Sequence, residues 1–297
     1  MQHKKILVTG ASGFVGRAVC QHFSGLGYEL RQLSRKAEAE FFWDPARGQL
    51  DPRVLDGVDV VVHLAGEPIA QRWTTAVKQR ILQSRVASTE LLVQAMLTHA
   101  KPPVLILASG INYYGYQIAE TLQETSDLGA GFLAEVCAAW EAAADPLRVA
   151  GGRVCCVRTG VVLGPSGGAL AKMLPAFRLG LGGRLGSGAQ MMSWITLVDL
   201  VRIYQFVTEE EGLDGVLNAV SPAAVSNLDF TKALGSALRR PTVLPMPSWL
   251  VRALFGTMAD ETLLANLTVQ PKRLEAAGFQ WRSSTIENAF AAIFKST

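Results

Sequence analysis

Lys5-Ile6-Leu7-Val8-Thr9-Gly10-Ala11-Ser12-Gly13-Phe14-Val15-Gly16 is the stretch that decides the fold of this chain. Lys5 to Thr9 is apolar and β-favouring, and the pattern from Phe14 to Leu26 is helical and closed by Gly27. Between them the glycines stand as G-x-x-G-x-x-G, the spacing of a strand–turn–helix that seats a dinucleotide pyrophosphate. Gly10 permits the tight turn, Gly13 lets backbone approach the phosphates, and Gly16 lets the helix lie close on the sheet. The start of the helix adds free N–H groups and a partial positive charge. The expected cofactor contacts at this turn are therefore Gly10, Gly13, Phe14, Val15 and Gly16.

The second strand, Glu29 to Leu33, decides which dinucleotide is expected. An NAD site places an acidic residue at its end to accept from the ribose 2′-OH. Here the chain reads Ser34-Arg35-Lys36, so a hydroxyl and a guanidinium stand where the carboxylate would be. Ser34 and Arg35 suit a 2′-phosphate, and NADP(H) is the expected cofactor. The alternative makes Arg35 and Lys36 ordinary surface cations.

Short β runs then alternate with helical stretches, the signature of a parallel sheet with crossover helices. A short strand is predicted at Glu40 to Trp43, and a strand buried on both faces at Val58 to Leu64. A long helix follows from about Thr74 to His99, then a strand at Val104 to Ser109. Phe132 to Ala144 reads as helix and Arg153 to Arg158 as strand. After Gly164-Pro165 the pattern changes. The glycines from 180 to 188 suggest turns and a hairpin. Asp199 to Val207 and Ser226 to Leu238 read as helices, the latter capped by Ser226 or Asn227, with a strand at Gly215 to Val220 between them. A small helical tail is expected at Ser248 to Phe255 and Glu261 to Leu267. The fold class is α/β, a Rossmann-type doubly wound sheet. Residues 1–165 form the dinucleotide-binding core, to which the strand near 215–220 returns, and 166–297 the smaller substrate-side and helical part.

The bulk properties exclude several other classes. Of 297 residues, 49% are hydrophobic and 18% charged, and the net charge is +3. That charge is too small to argue for nucleic acid or an anionic membrane surface. No apolar stretch approaches the ~20 residues that span a bilayer, and Met1 to Lys5 run straight into a strand with no secretory pattern. The four cysteines, at 20, 137, 155 and 156, have neither C-x-x-C nor metal-ligand spacing. No metal is expected, and a reducing cytoplasm fits free thiols. Cys155 and Cys156, adjacent on a strand, should point to opposite faces.

With these residues in hand, the chain resembles the extended short-chain dehydrogenase/reductase superfamily. The marks are the glycine turn, His63-Leu64-Ala65-Gly66 closing one strand, and Arg158-x-x-x-Val162-Leu163-Gly164-Pro165 closing another. Further marks resemble the subgroup known as epimerase family proteins. They are Ser109 with Tyr113-Tyr114-Gly115, Trp140-Glu141-Ala142-Ala143, Arg178 to Gly183, Trp194-Ile195-x-x-x-Asp199-Leu200, and the segment from Pro245-x-Pro247-x-Trp249 through Pro271 to Gly278-Phe279. The likeness covers essentially the whole chain.

The resemblance implies a Tyr-x-x-x-Lys pair as acid and base, and the chain lacks it. None of the five tyrosines has lysine four places on. Counted back from Glu141, the tyrosine place falls at about Leu133 and the lysine place at about Cys137. Ser109 is the candidate for the helper serine, although by strict spacing that slot could be Gly110. Tyr114, with Tyr113, could reach the nicotinamide edge or pack beneath the substrate loop. Cys137 reads as a small core residue and His63 as a structural imidazole. Leu64, Ala65 and Gly66 are expected against the adenosine ribose and pyrophosphate, and Val162 against the nicotinamide. Arg85 is expected either as a phosphate or ribose partner or at the surface. Trp194 is expected near the cleft. Two functions follow: an atypical NADP-dependent oxidoreductase or epimerase acting on a small molecule, or a non-catalytic NADP(H)-binding sensor.

Overall fold

The structure, a computed structural model, describes residues 4–36 and 38–295. Its first strand, β1 (Lys5–Thr9), leads through the glycine turn into α1 (Phe14–Gly25) and on to β2 (Glu29–Ser34), β3 (Phe41–Asp44) and the two-residue β4 (Gln49–Leu50). Next come β5 (Val60–His63), α2 (Thr75–Met96), β6 (Val104–Gly110), β7 (Gln117–Leu122), α3 (Phe132–Ala142), α4 (Asp145–Val149) and β8 (Val154–Thr159). Past β8 run β9 (Val161–Gly164), α5 (Gly168–Arg178), β10 (Met191–Met192), β11 (Trp194–Thr196), α6 (Leu197–Glu209), β12 (Gly215–Ala219), β13 (Val225–Ser226) and α7 (Asn227–Leu238). The chain closes with α8 (Ser248–Phe255), β14 (Asn266–Val269), α9 (Lys272–Ala276) and α10 (Ile286–Lys295).

Eight strands form the main sheet in the order β12-β8-β6-β5-β1-β2-β3-β4. All neighbours are parallel except the β3–β4 pair at one edge. The alternation of strand side chains explains the two helix layers. Ile6, Val8, Val60, Val62, Ile106, Cys155 and Val157 share one core with Val19 and Phe23 of α1 and with Leu200, Ile203, Tyr204 and Val207 of α6. Their neighbours Leu7, Val61, Leu105, Leu107, Val154 and Cys156 pack on the opposite face against Leu92, Val93 and Met96 of α2 and Trp140 of α3. Cys155 and Cys156 thus lie in different cores.

After Gly164 the chain does not remain on the substrate side. It returns to the main sheet, because α6 packs on the α1 face and β12 pairs with β8. The remaining elements build a second core from Leu170, Leu174, Phe177, Trp194, Phe230, Leu234 and Phe290. Three details differ from the sequence reading. Glu261 to Leu267 is helical only as far as Leu263: a π-helical turn, Ala259–Leu263, runs into β14, which pairs in parallel with β7. The glycines at 180–188 make turns without a hairpin, and Leu185 bridges instead to Met246. Trp194 is fully buried, with its indole N–H donating to the Ala223 carbonyl at 2.9 Å, so it belongs to the second core and not to the cleft.

Candidate functional site

The glycine turn sits at the C-terminal edge of the sheet, between the ends of β5 and β2, where open α/β sheets bind ligands. Gly10 has φ of 67°, and a Cβ there would lie 2.8 Å from the Leu64 backbone. A Cβ on Gly16 would lie 2.1 Å from the Gly10 carbonyl oxygen, and one on Gly13 would lie 3.1 Å from it. The turn therefore closes on itself with no room for side chains. Gly13 caps α1 with no side-chain bond, and the first turn carries no acidic residue. The backbone N–H groups there remain open to an anion. This cradle fits a dinucleotide pyrophosphate.

A buried chain of hydrogen bonds fixes the neighbouring strand ends. Ser88 Oγ donates to the Ser84 carbonyl at 2.7 Å, which leaves its oxygen to accept from His63 Nε2 at 3.0 Å. His63 Nδ1 then accepts from Thr9 Oγ1 at 2.6 Å, and that oxygen accepts in turn from the backbone N–H groups of Leu64 and Ala65. Burial, reinforced by the nearby Arg85 charge, drives the His63 pKa down to about 3. The imidazole is a neutral strut that positions the backbone of residues 64–65.

Two cavities flank this strut, and Leu64 lines both. The first, of about 640 Å³, runs from Gly10 to Gly13 past Ala65 and Gly66 to Ser34, Arg35 and Arg80. Ser34 Oγ accepts from the Lys36 backbone N–H at 3.1 Å, which fixes the short turn that carries Arg35. Among the described residues the carboxylates on this wall are Asp44, whose Oδ1 accepts from the Ala46 N–H, and Glu67, 3.8 Å from Arg80. Neither stands at the end of β2. Arg80 was missed by the sequence reading, since a helical arginine five residues before Arg85 carries no motif of its own.

The second cavity, of about 660 Å³, holds Val15, Ser109, Gly110, Leu133, Cys137, Val162 and Lys172 on its walls. Phe14 serves here as a wedge. A Cβ on Gly167 would lie 2.4 Å from its ring, so those glycines exist to let α5 approach the glycine turn. Arg85 is half-buried and lines the second cavity, with its guanidinium packed against Gly66 of the first. Its Nη1 donates to the carbonyls of Glu67 and Ile81, both at 3.0 Å, and its guanidinium lies 5.0 Å from the Trp140 ring. The surface alternative for Arg85 is thereby excluded, and its guanidinium braces the wall beside Gly66.

The acid/base corner is where this site departs from the superfamily pattern. Gly110, Leu133 and Cys137 all line the same cavity, and a Cβ on Gly110 would lie 3.6 Å from Cys137 Sγ. In the register that the resemblance implies, these positions stand for its serine, tyrosine and lysine; Gly110 and Leu133 carry no ionisable side chain, and Cys137 keeps its thiol proton near neutral pH. Burial, helped by the nearby Glu141 charge, pushes the Cys137 thiol up to about 11. Ser109 Oγ donates to Glu141 Oε1 at 2.7 Å. Glu141 is clamped by Arg158, whose Nε and Nη2 donate to its two oxygens at 2.8 and 2.7 Å. Ser109 thus presents only lone pairs to a ligand.

Tyr114 does not reach this cavity. Its phenol is buried and donates to Asn218 Oδ1 on β12 at 2.8 Å, and desolvation raises its pKa. The turn after β6 directs it under the sheet edge, while Tyr113 lies 3.3 Å beneath the Arg158 guanidinium. Among the described residues no cluster of His, Cys, Asp and Glu is placed to hold a metal, and no helix is long and apolar enough to cross a membrane.

A glycine cradle at the sheet edge, in a cleft that continues past Leu64 into a second cavity, defines a dinucleotide-binding α/β protein of the short-chain dehydrogenase/reductase type. The profile of the NAD dependent epimerase/dehydratase family matches residues 6–219, and that of a domain of unknown function, DUF1731, matches residues 246–293. The chain belongs to the NAD dependent epimerase/dehydratase family. It is 44% identical over 293 residues to an epimerase family protein of Mycobacterium tuberculosis, covering 97% of each chain. It is 41% identical to the epimerase family protein SDR39U1 of Mus musculus, covering 93% of this chain and 95% of that one. The crystal structure of human SDR39U1 (isoform 2) with NADPH superposes with a TM-score of 0.90 at 35% identity, over 99% of this chain and 100% of that one. MoeE5 in complex with UDP-glucose and NAD shares the fold alone, with a TM-score of 0.78 at 20% identity.

Proposed function

We propose that this protein binds NADP(H) across the two cavities and acts as an atypical oxidoreductase or epimerase on a small molecule held in the second. The single observation that carries this reading is the self-closing glycine cradle, whose cavity meets at Leu64 a second one lined by residues of β6, β8 and β9. The NADPH bound by human SDR39U1 supports it. In this reading Gly10, Gly13, Val15 and Gly16 hold the pyrophosphate, and Phe14 wedges α5 against them. Leu64, Ala65 and Gly66 border the adenosine ribose. Ser34 and Arg35, helped by Arg80, hold the 2′-phosphate, and Arg85 braces the wall between the cavities. Val162 borders the nicotinamide. A bound nicotinamide supplies or accepts a hydride at the second cavity.

The chain's own residues then do two things. The apolar walls exclude water, and Ser109, its proton held by Glu141, accepts a hydrogen bond from a substrate hydroxyl or amide. Four free thiols, Cys20, Cys137, Cys155 and Cys156, support a reducing cytoplasmic setting. No nucleic-acid or membrane partner is required by this reading. A second reading, a non-catalytic NADP(H) sensor, is favoured by one observation: positions 133 and 137 are leucine and cysteine, not the tyrosine and lysine that the resemblance implies.

A panel of small carbonyl compounds separates the two, read as NADPH consumption by the wild type, Ser109→Ala and Tyr114→Phe. The enzyme reading expects turnover on at least one compound, lowered about tenfold by Ser109→Ala and unchanged by Tyr114→Phe. Bound NADPH with no turnover on any compound supports the sensor. Turnover abolished by Tyr114→Phe in a folded protein overturns the proton-corner assignment.

A further inference from the structure

The second cavity carries a charge pattern that the search for an acid/base pair leaves unused. Among the described residues lining it, two are charged, Arg85 and Lys172, and none is a carboxylate. Arg85 is held in place, its Nη1 on two backbone carbonyls and its guanidinium against the Trp140 ring. Lys172 is not held in this way. It projects exposed from α5, and its Nζ lies 3.5 Å from the Ala70 carbonyl, at the limit of a hydrogen bond. No ion pair involves it among the described residues. α5 also begins with no acidic residue in its first turn, which leaves its partial positive end uncompensated on the same wall. The rest of the wall near the mouth is apolar, with Ile69, Met191, Met192 and Leu263.

We infer that Lys172 anchors the substrate through an anionic group, and that the cavity takes small carboxylates with an apolar body. This inference rests on the proposed reading of the cavity as the substrate side of the cofactor cleft. The geometry separates Lys172 from the cofactor phosphates. The glycine residues of the turn line the other cavity, and the Phe14 ring stands between them and the start of α5. Ala70, the weak partner, lies across the mouth from α5, so a carboxylate entering there exchanges one poor acceptor for a charged one. An ammonium–carboxylate bond is stronger than the neutral contact it replaces, and a wall without acidic residues draws anions inward. A free acid is favoured over its neutral isostere for the same reason.

Calorimetric titration with hexanoate and with hexanamide, neutral and of equal shape, tests this on the NADPH-bound protein and again without NADPH. Wild type should bind hexanoate about tenfold more tightly than hexanamide. Lys172→Gln should abolish that preference and Lys172→Arg should retain it, with NADPH affinity unchanged in both. Equal binding of the two probes, binding of neither, or a preference that survives Lys172→Gln overturns the inference. If Lys172→Gln weakens NADPH as much as hexanoate, the lysine belongs to the cofactor and the inference fails. If NADPH itself does not bind the wild type, the parent reading fails, and the titration without NADPH still reads the lysine alone.

Discussion

The two ends of the cleft obey different rules. At the glycine turn, backbone passes so close to backbone that Gly10 and Gly16 admit no side chain, and the surrounding polar groups hold strand ends in place. At the other end, Gly110, Leu133 and Cys137 line a largely apolar cavity, without the tyrosine and lysine that the resemblance implies. The backbone conditions for holding a dinucleotide are strict, and here they are intact. The acid/base side chains that the resemblance implies are absent from the same frame. Fold and cofactor site therefore say less about the reaction than the resemblance first implies.

Three changes probe this contrast, and the largest effect is expected at the proton corner. Glu141→Ala leaves Arg158, buried to 3% exposure, without its bidentate partner and Ser109 without its acceptor. Breaking a buried pair in this way should lower stability by about 3–5 kcal/mol in denaturant unfolding. A loss below about 1 kcal/mol would mean that the pair is not the structural clamp described. At the opposite end, Gly16→Ala pushes a methyl group into the Gly10 carbonyl. It should weaken NADPH binding roughly 100-fold, about 3 kcal/mol. A normal affinity would show that the turn is looser than its geometry.

The strut between the two ends gives the smallest effect and a pH signature. His63 titrates near 3 when folded and near 6.5 when unfolded, because burial disfavours its charged form. The unfolded chain therefore binds the extra proton between those values. Its contribution is fully present above pH 6.5 and is lost as the pH falls toward 3. The expected slope is up to about 1.4 kcal/mol per pH unit. Unfolding curves between pH 5 and 7.5 should show it, and His63→Gln should flatten it. An unchanged slope in the variant would assign the pH dependence to other groups.

Much of the frame was legible from the residues. The G-x-x-G-x-x-G spacing marks the strand, turn and helix, and β alternation sends Cys155 and Cys156 into different cores. The acid/base deficit was legible too, since a missing lysine needs no coordinates. What was not legible depends on packing across long separations. Tyr113 and Tyr114 are adjacent, and only the turn after β6 decides that Tyr114 meets Asn218, 104 residues away. Trp194 looks like a cleft aromatic until Ala223 and the second core claim it. Glu261 to Leu267 has helix-favouring residues, yet pairing with β7 turns its end into a strand. Lys172 carries no motif, and its place on the cavity wall follows from Phe14 wedging α5 against the glycine turn.

Fluorescence titration of NADPH against NADH reads the glycine cradle and the guanidinium beyond it together. With Arg35 paired to a 2′-phosphate, wild type should bind NADPH at least about tenfold more tightly than NADH, and Arg35→Ala should erase that difference with NADH affinity unchanged. Equal affinity for the two cofactors in the wild type, or no binding of either, would contradict the NADP(H) binding proposed for them.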